Sequence, residues 1–179
     1  MQKLFKKNYK KIGILGGTFD PPHKGHLYIS KLAIKILKLD SLMWIVTKKN
    51  PLKKRAHLST NLRIKLSKKI TKKEKKISVW YFDKKIKSTK TYNLLKYIKK
   101  NNKKAKLFFL IGADNLSKFH KWNNWKRIPK LAKIVIFPRQ NYSIRSLSKN
   151  VSKELSKKDL IYINSKKINI SSSLIRKFW

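Results

Sequence analysis

Residues 16–26 read GGTFDPPHKGH, and this stretch decides the fold because an apolar strand pattern gives way there to a helical one. A short apolar run, residues 12–15, precedes it, and residues 27–37 after it carry apolar side chains at helical spacing. The two glycines free backbone N–H groups to face an anion. The positive end of the following helix dipole points to the same place. With His23 and His26 projecting from this junction, the stretch predicts a polyphosphate site.

Outside this junction, segments with the period of a strand alternate with segments of helical period. The predicted strands are residues 11–15, 42–47, 77–82, 107–111, 134–137 and 160–163. The predicted helices are residues 25–38, 60–70, 91–100, 122–132 with a break near Pro129, 146–155 and 172–179. This alternation predicts an α/β fold with a doubly wound, mainly parallel sheet. Ligands of such sheets lie at the carboxyl ends of strands, where Gly16, Asn50-Pro51 and Asp114 fall.

The 179 residues are expected to form a single domain, with residues 1–10 as a basic extension and residues 171–179 as a short C-terminal helix. The chain has no cysteine, which excludes disulfides and thiolate metal sites and favours a cytoplasmic location. Its longest apolar stretch, residues 107–111, is too short to span a membrane. The basic N-terminus lacks the apolar region of a signal peptide. We therefore expect no membrane partner.

The charge of the chain is extreme, with 48 Lys and Arg residues against 7 Asp and Glu residues, a net charge of +41. Only six of the basic residues are Arg, whereas proteins that read nucleic acid favour the bidentate guanidinium. The lysines are spread along the whole chain, and Lys, Asn and Ile, whose codons are A/T-rich, are abundant together. The pattern favours compositional drift over a dedicated nucleic-acid function. Either origin predicts an electrostatic field that attracts anionic substrates. It also predicts weak, non-specific binding of RNA that depends on salt.

The pair of histidines has three ordinary interpretations besides phosphate binding. A zinc pair at positions i and i+3 would need further carboxylate or thiolate ligands, and the sequence around it contains no cluster of them. General acid–base catalysis would need a carboxylate spaced to orient one ring. A purely structural pair would leave the flanking glycines and the helix start unexplained. Stabilisation of phosphate charge accounts for all of these features.

A second cluster of polar residues lies at the end of the chain. Three serines, residues 171–173, stand at a predicted helix start, and Arg176 follows one turn later. This arrangement suits the β- and γ-phosphates of a nucleotide. An ordinary serine N-cap with a solvated arginine is the alternative interpretation.

Five stretches together resemble the bacterial nicotinate-nucleotide adenylyltransferases, which belong to the nucleotidyltransferase superfamily with the His-x-Gly-His motif. They are residues 18–26 (TFDPPHKGH), 50–53 (NPLK), 89–92 (TKTY), 111–116 with 120–122 (IGADNL and HKW) and 170–176 (ISSSLIR). The resemblance implies a Rossmann-like nucleotidyltransferase topology. One departure is the absence of a His from residues 50–53, where many relatives carry Pro-Pro-His-Lys.

The activity implied by this resemblance is adenylyl transfer from ATP to nicotinate mononucleotide, which gives deamido-NAD and pyrophosphate in NAD biosynthesis. The phosphate monoester of the acceptor is already an anionic nucleophile, so the enzyme need only align two anions and stabilise the growing charge. Mg²⁺ is expected on the ATP phosphates, with no metal site made by the protein. Two roles are open to Asp20, an approach to this ion through water or the capping of a turn.

The resemblance also implies a role for each matching residue. The implied catalytic residues are His23, His26 and Arg176. The implied ATP-binding residues are Gly17, Thr18, Phe19, His23, His26, Asp114, Ser172, Ser173 and Arg176. The implied nicotinate mononucleotide-binding residues are Lys53, Thr91 and Trp122. Within these sets, Asp114 would bind the ribose hydroxyls, although a helix cap also fits it. Trp122 would stack on the nicotinate ring, and the Thr91 backbone amide would meet the nicotinate carboxylate.

Two alternative functions remain open from the sequence. A sister adenylyltransferase that uses nicotinamide mononucleotide shares these motifs. A basic RNA-binding protein would account for the charge but gives no reason for the glycine turn, the histidines and the serine cluster to coexist. The oligomeric state and the contribution of Arg139, which follows the fifth predicted strand, also remain open.

Overall fold

The computed structural model describes residues 8–49, 56–139, 151, 154–165 and 170–178. Within them, six strands form one sheet. The strands are β1 (Lys11–Gly17), β2 (Ser41–Val46), β3 (Ile77–Trp80), β4 (Lys106–Gly112), β5 (Lys133–Phe137) and β6 (Leu160–Tyr162). The α-helices are α1 (Lys24–Leu37), α2 (Thr60–Thr71), α3 (Asp83–Ile86), α4 (Thr91–Asn101), α5 (Ala113–Leu116) and α6 (Ser172–Ile175). Short 3-10 turns cover Phe119–Lys121, Trp125–Arg127, Lys157–Asp159 and Arg176–Phe178.

The sheet is doubly wound, with the strand order β3-β2-β1-β4-β5-β6. Every neighbouring pair of strands is parallel. The chain runs from β1 outward to β3, returns to the centre at β4 and then runs outward to β6. The order therefore reverses between β1 and β4, and a crevice forms there at the carboxyl ends of the strands. The predicted fold class is confirmed.

The core lies on both faces of the sheet because alternate strand residues point to opposite sides. One cluster contains Ile12, Ile14, Met43, Ile45, Phe109, Ile111, Leu95 and Ile98. The other contains Leu15, Leu42, Trp44, Val46, Leu110, Val135 and Ala33. Both faces are thus covered, which explains why β2 is buried along its whole length. A Cβ at Gly13 would lie 2.6 Å from Cδ1 of Leu39, so any other residue there would require the buried Leu39 side chain to shift.

Helix α1 begins directly after the glycine turn. His23 is its N-cap, and its last turn ends at Lys38, which adopts a left-handed conformation with φ of 50°. The Ser30 hydroxyl donates to the His26 carbonyl at 2.7 Å and accepts from the Trp44 indole at 2.8 Å. The first turns of α1 are therefore fixed to β2 through a buried polar contact.

Several predicted elements differ from the structure. The helix predicted at residues 122–132 is wrong, since only Trp125–Arg127 forms a 3-10 turn there. Asn124 has a left-handed φ of 54°, and an asparagine tolerates this conformation where a helix cannot continue. The third strand ends at Trp80, two residues earlier than predicted, and the unpredicted α3 follows it. Residues 171–178 form α6 and a 3-10 turn in place of one helix. Most of the helix predicted at residues 146–155 lies outside the described residues.

Within the part of the chain that the structure describes, no helix combines the length and the apolar character that crossing a membrane requires.

Candidate active site

A cavity of about 720 Å³ opens at the carboxyl ends of the strands, at the reversal between β1 and β4. The predicted site residues that the structure describes all line it. They are Gly17, Thr18, Phe19, His23, His26, Thr91, Asp114, Trp122, Ser172, Ser173 and Arg176. The remaining one, Lys53, lies outside the described residues. Residues separated by up to 159 positions in the chain thus meet around one cavity.

The glycine turn presents backbone to this cavity, while its aromatic side chain packs into the core. Phe19 is buried, and its ring stacks on Trp44 with centroids 4.9 Å apart. Its φ of 50° lies in the left-handed region, which is costly for a residue with a Cβ. The ring therefore anchors the turn, and the contribution of Phe19 to the site is its backbone.

The two histidines are oriented by backbone N–H groups. The Gly25 N–H donates to Nδ1 of His23 at 3.1 Å, and the His23 N–H donates to Nδ1 of His26 at 3.2 Å. The ring centroids are 3.8 Å apart. Because each Nδ1 accepts a hydrogen bond, the proton of each neutral ring is on Nε2. Each Nε2 is therefore a hydrogen-bond donor, which is the form that binds phosphate oxygens.

His23 is held in its neutral form. It is only 5% exposed, and this burial, followed by the positive charge of Arg139, lowers its pKa from 6.5 to about 4. At neutral pH the ring is a neutral Nε2–H donor. Backbone N–H groups orient both rings at Nδ1.

The C-terminal segment docks on the glycine turn. The Ser172 hydroxyl donates to the Pro21 carbonyl at 2.8 Å. The Arg176 guanidinium donates to the Asp20 carbonyl and, at 3.2 Å, to Oγ of Ser173. Ser171 caps α6 by accepting from the Leu174 N–H at 3.1 Å. An N-cap is therefore present, but the arginine of this segment is bound to the turn at the cavity and is not simply solvated.

Asp20 anchors a loop in the wall of the cavity. It is 4% exposed, and its two carboxylate oxygens accept from the backbone N–H groups of His57 at 2.8 Å and Leu58 at 2.9 Å. One of these oxygens lies 3.8 Å from Nη1 of Arg176. Of the two roles left open by the sequence, the structure shows the capping of backbone groups.

Asp114 and Arg139 line the cavity next to each other. The Nε atom of Arg139 lies 3.6 Å from Oδ1 of Asp114, and this buried oxygen has no hydrogen-bond partner among the described residues. The N-cap of α5 is Gly112, so Asp114 does not cap this helix. A buried acceptor that lines a cavity is suited to a ligand hydroxyl.

Thr91 and Trp122 lie on the wall formed by the segments that follow β3 and β4. Thr91 is the first residue of α4, whose N-cap, Lys90, makes no side-chain capping bond. The Trp122 ring contacts Phe119, with centroids 5.2 Å apart, and Phe109, with centroids 6.0 Å apart. It is therefore held by the core at one edge while it lines the cavity.

Arg63 was missed by the sequence analysis. It is 1% exposed, and it lies in α2 behind the cavity wall. The available signal was its residue type, since it is a guanidinium in a helix whose other basic residues are lysines. Burial lowers its pKa, and the charges of Asp20, Asp83 and Tyr81 oppose that shift.

Comparison with known proteins identifies the class. A profile of the cytidylyltransferase-like family matches residues 14–178, so the chain belongs to that family. A curated relative from Pelagibacter ubique is 48% identical over 167 residues, which cover 93% of this chain and 92% of that protein. Its name is probable nicotinate-nucleotide adenylyltransferase. A relative of the same name from Rhizobium meliloti is 35% identical over 81% of this chain and 77% of its own length. Within the family, the chain belongs with the nicotinate-nucleotide adenylyltransferases.

Solved structures share the fold. A nicotinic acid mononucleotide adenylyltransferase from Plasmodium falciparum, complexed with NaAD, superposes with a TM-score of 0.74 over 94% of this chain and 83% of that one. The same protein complexed with APC gives a TM-score of 0.77 with the same coverage. The sequence identities are 23% and 22%, so these likenesses show the fold alone.

Proposed function

We propose that the protein transfers AMP from ATP to nicotinate mononucleotide, with deamido-NAD and pyrophosphate as products, as a step of NAD biosynthesis. The 48% identity to the Pelagibacter ubique relative, over nearly the full length of both chains, carries the choice of acceptor. The phosphate chemistry is supported by two histidines whose Nδ1 atoms accept backbone N–H groups, a helix start and Arg176 around one glycine turn.

In the proposed reaction, a phosphate oxygen of the mononucleotide attacks the α-phosphorus of ATP in line. A new P–O bond forms, the bond from the α-phosphorus to the bridging oxygen breaks, and pyrophosphate takes that electron pair. The attacking oxygen is already anionic, so no general base is required. His23 and His26 would donate from Nε2 to the phosphate oxygens that gain charge, together with backbone N–H groups of residues 17–19. Arg176 with Ser172 and Ser173 would bind the outer phosphates.

The nucleosides would bind at the two ends of the cavity. The Oδ1 atom of Asp114, which has no hydrogen-bond partner among the described residues, would accept from the ribose hydroxyls of ATP. The N–H of Thr91 at the start of α4 would donate to the nicotinate carboxylate, and Trp122 would stack on its ring. A helix N-terminus favours an anion over a neutral amide, which supports nicotinate over nicotinamide as the acceptor. Lys53 stays a prediction for the acceptor phosphate.

The residues of the site fit a metal that arrives with the nucleotide. No group of three His, Asp, Glu or Cys side chains suited to a metal occurs among the described residues. The carboxylate of Asp20 already accepts two backbone N–H groups, and that of Asp114 faces Arg139. We propose that Mg²⁺ binds as Mg-ATP through phosphate oxygens and water. It would offset phosphate charge, while the histidines and Arg176 orient the nucleotide.

Two further proposals concern the setting of the enzyme. The cysteine-free composition supports a cytoplasmic location. The net charge of +41 supports weak, non-specific binding of nucleic acid that falls steeply with salt.

The test is a substrate comparison with the purified chain. Pyrophosphate release is measured with Mg-ATP and either nicotinate mononucleotide or nicotinamide mononucleotide. We expect a higher kcat/KM with nicotinate mononucleotide, and an equal or lower value would refute the acid-specific assignment. The His26→Ala variant should lose about 100-fold or more in kcat, because a transition-state donor is removed. Retained turnover in that variant would refute the phosphate-stabilising function of His26.

A further inference from the structure

Arg63 is a buried guanidinium with all of its hydrogen-bonding capacity used. An arginine has five N–H donors, and here each has an acceptor. Nε donates to the Leu58 carbonyl at 3.0 Å. Nη1 donates to the carbonyls of Thr18 at 2.6 Å and Thr47 at 2.7 Å. Nη2 donates to the Lys48 carbonyl at 3.3 Å and to Oγ1 of Thr60 at 2.9 Å.

These acceptors belong to three separate segments around the cavity. Thr18 is in the glycine turn after β1, Thr47 and Lys48 follow β2, and Leu58 is in the loop before α2. That loop is also bound from the other side by the carboxylate of Asp20, which accepts from its backbone. A single side chain thus sets the spacing of the segments that form this wall.

The contact with Thr18 fixes the direction of one peptide group. The Thr18–Phe19 bond is trans, since the cis bond among the described residues is Asp20-Pro21. In a trans peptide, the C=O of one residue and the N–H of the next point in opposite directions. Arg63 holds the Thr18 carbonyl from behind the wall, and Thr18 and Phe19 both line the cavity. The Phe19 N–H is therefore directed away from Arg63 and toward the cavity.

This orientation needs support because it is not the one that Phe19 prefers. Its φ of 50° is unfavourable for a residue with a Cβ. A flip of the preceding peptide changes ψ of Thr18 and φ of Phe19 together and would return Phe19 to a negative φ. Such a flip would turn the N–H away from the cavity and break the bond from Arg63 to the Thr18 carbonyl.

We propose that Arg63 is a positioning residue for adenylyl transfer, which directs the Phe19 N–H at the phosphate that is transferred. The proposal rests on the proposed function, because the reaction gives that N–H its role. Arg63 itself does not touch the substrates. A lysine cannot replace it, since one ammonium cannot reach acceptors in three segments with the geometry of a planar fork.

The test compares Arg63→Lys with the matched control Arg127→Lys in the full chain. Arg127 lies over the Tyr92 ring at 5.0 Å, outside the proposed machinery. We expect Arg63→Lys to lower kcat by about 100-fold, as for the loss of one transition-state donor, with KM for nicotinate mononucleotide changed less than about threefold. Arg127→Lys should keep kcat within about twofold. A folded Arg63→Lys variant with wild-type kcat, or with a loss in KM alone, would overturn the proposal.

A second measurement does not depend on activity or on the folding of a variant. In ¹⁵N-labelled wild-type protein, addition of Mg-ATP should shift the Phe19 amide resonance strongly downfield as it donates to phosphate. An unresponsive Phe19 amide in wild-type protein that binds ATP would overturn the proposal. In Arg63→Lys the same shift should be reduced by at least half. Absence of turnover with either mononucleotide would count against the proposed function and would leave this amide shift as the readout for Arg63.

Discussion

Acidification should destabilise the ligand-free protein through His23. Burial and the charge of Arg139 lower the pKa of this ring from 6.5 to about 4 in the folded chain. Between these two pH values the unfolded chain therefore binds more protons than the folded chain, so stability rises with pH in this window. The stabilisation from the neutral ring is complete above pH 6.5 and is lost as the pH falls toward 4.

The size of the effect follows from the two pKa values. Since one pH unit corresponds to about 1.4 kcal/mol, the difference between 6.5 and about 4 is worth about 3 kcal/mol when the loss is complete. About 2 kcal/mol of this should be lost by pH 5, where the unfolded ring is almost fully protonated and the folded ring is not. This is a large part of the stability of an ordinary domain.

The assay is urea unfolding of the wild type and of His23→Asn at about pH 7.5, 6 and 5. Asparagine is neutral, and its side-chain oxygen can accept at an N-cap as Nδ1 does. The carboxylates titrate in both proteins, so the difference between them isolates His23. The wild type should lose about 2 kcal/mol more than the variant between pH 7.5 and 5. Equal losses in the two proteins would refute the reasoning.

Saturating Mg-ATP should reduce the difference in pH dependence between the wild type and His23→Asn, because phosphate charge favours the protonated ring.

Three further predictions follow from the contacts of the site. Asp20→Asn should lower the free energy of unfolding, measured in urea, by about 1–3 kcal/mol. The amide NH₂ would replace one of the two carboxylate oxygens and would face a backbone N–H of His57 or Leu58 without an acceptor. Unchanged stability would contradict the anchoring role of Asp20. Thr91→Pro removes one N–H at a helix position that tolerates proline. It should raise KM for nicotinate mononucleotide about tenfold and leave that for nicotinamide mononucleotide unchanged, so equal effects on both would count against the carboxylate contact. Binding of a single-stranded RNA oligonucleotide, followed by fluorescence anisotropy, should weaken at least about tenfold between 50 and 200 mM salt, and salt-independent binding would argue for specific recognition.

Local patterns were enough to predict the part of the fold that holds the proposed phosphate site. The apolar run of β1, the glycines and the helical spacing after His26 are each signals of short range, and they agree with one another. The helix predicted at residues 122–132 failed for a local reason as well. Asn123 and Asn124 favour a turn, and Pro129 cannot continue a helix, so the segment folds back locally and Trp122 and Trp125 pack on Phe119.

The contacts that position the site were not visible in the sequence because they join distant residues. Arg176 is 156 positions from Asp20, and Arg63 is 45 positions from Thr18. No periodicity or motif encodes which carbonyl a buried guanidinium will reach. The tautomers of the histidines are likewise set by backbone N–H groups, whose directions depend on the turn geometry. The motif thus predicts which residues meet. The fold determines the tautomers of the histidines and the directions of the hydrogen bonds between these residues.

The distribution of charge gives the basic composition a physical interpretation. Each of the seven carboxylates has a partner in the structure. They are Asp20, Asp40, Glu74, Asp83, Asp114, Glu154 and Asp159. Each of the four described arginines likewise has a geometric role, namely Arg63, Arg127, Arg139 and Arg176.

Some lysines also have fixed contacts, since the ammonium groups of Lys11, Lys76 and Lys99 donate to backbone carbonyls. The small share of arginine among the 48 basic residues still favours compositional drift as the origin of the +41 charge. A net charge of this sign would concentrate anions near the proposed nucleotide site, and the few groups of fixed orientation would provide the selectivity.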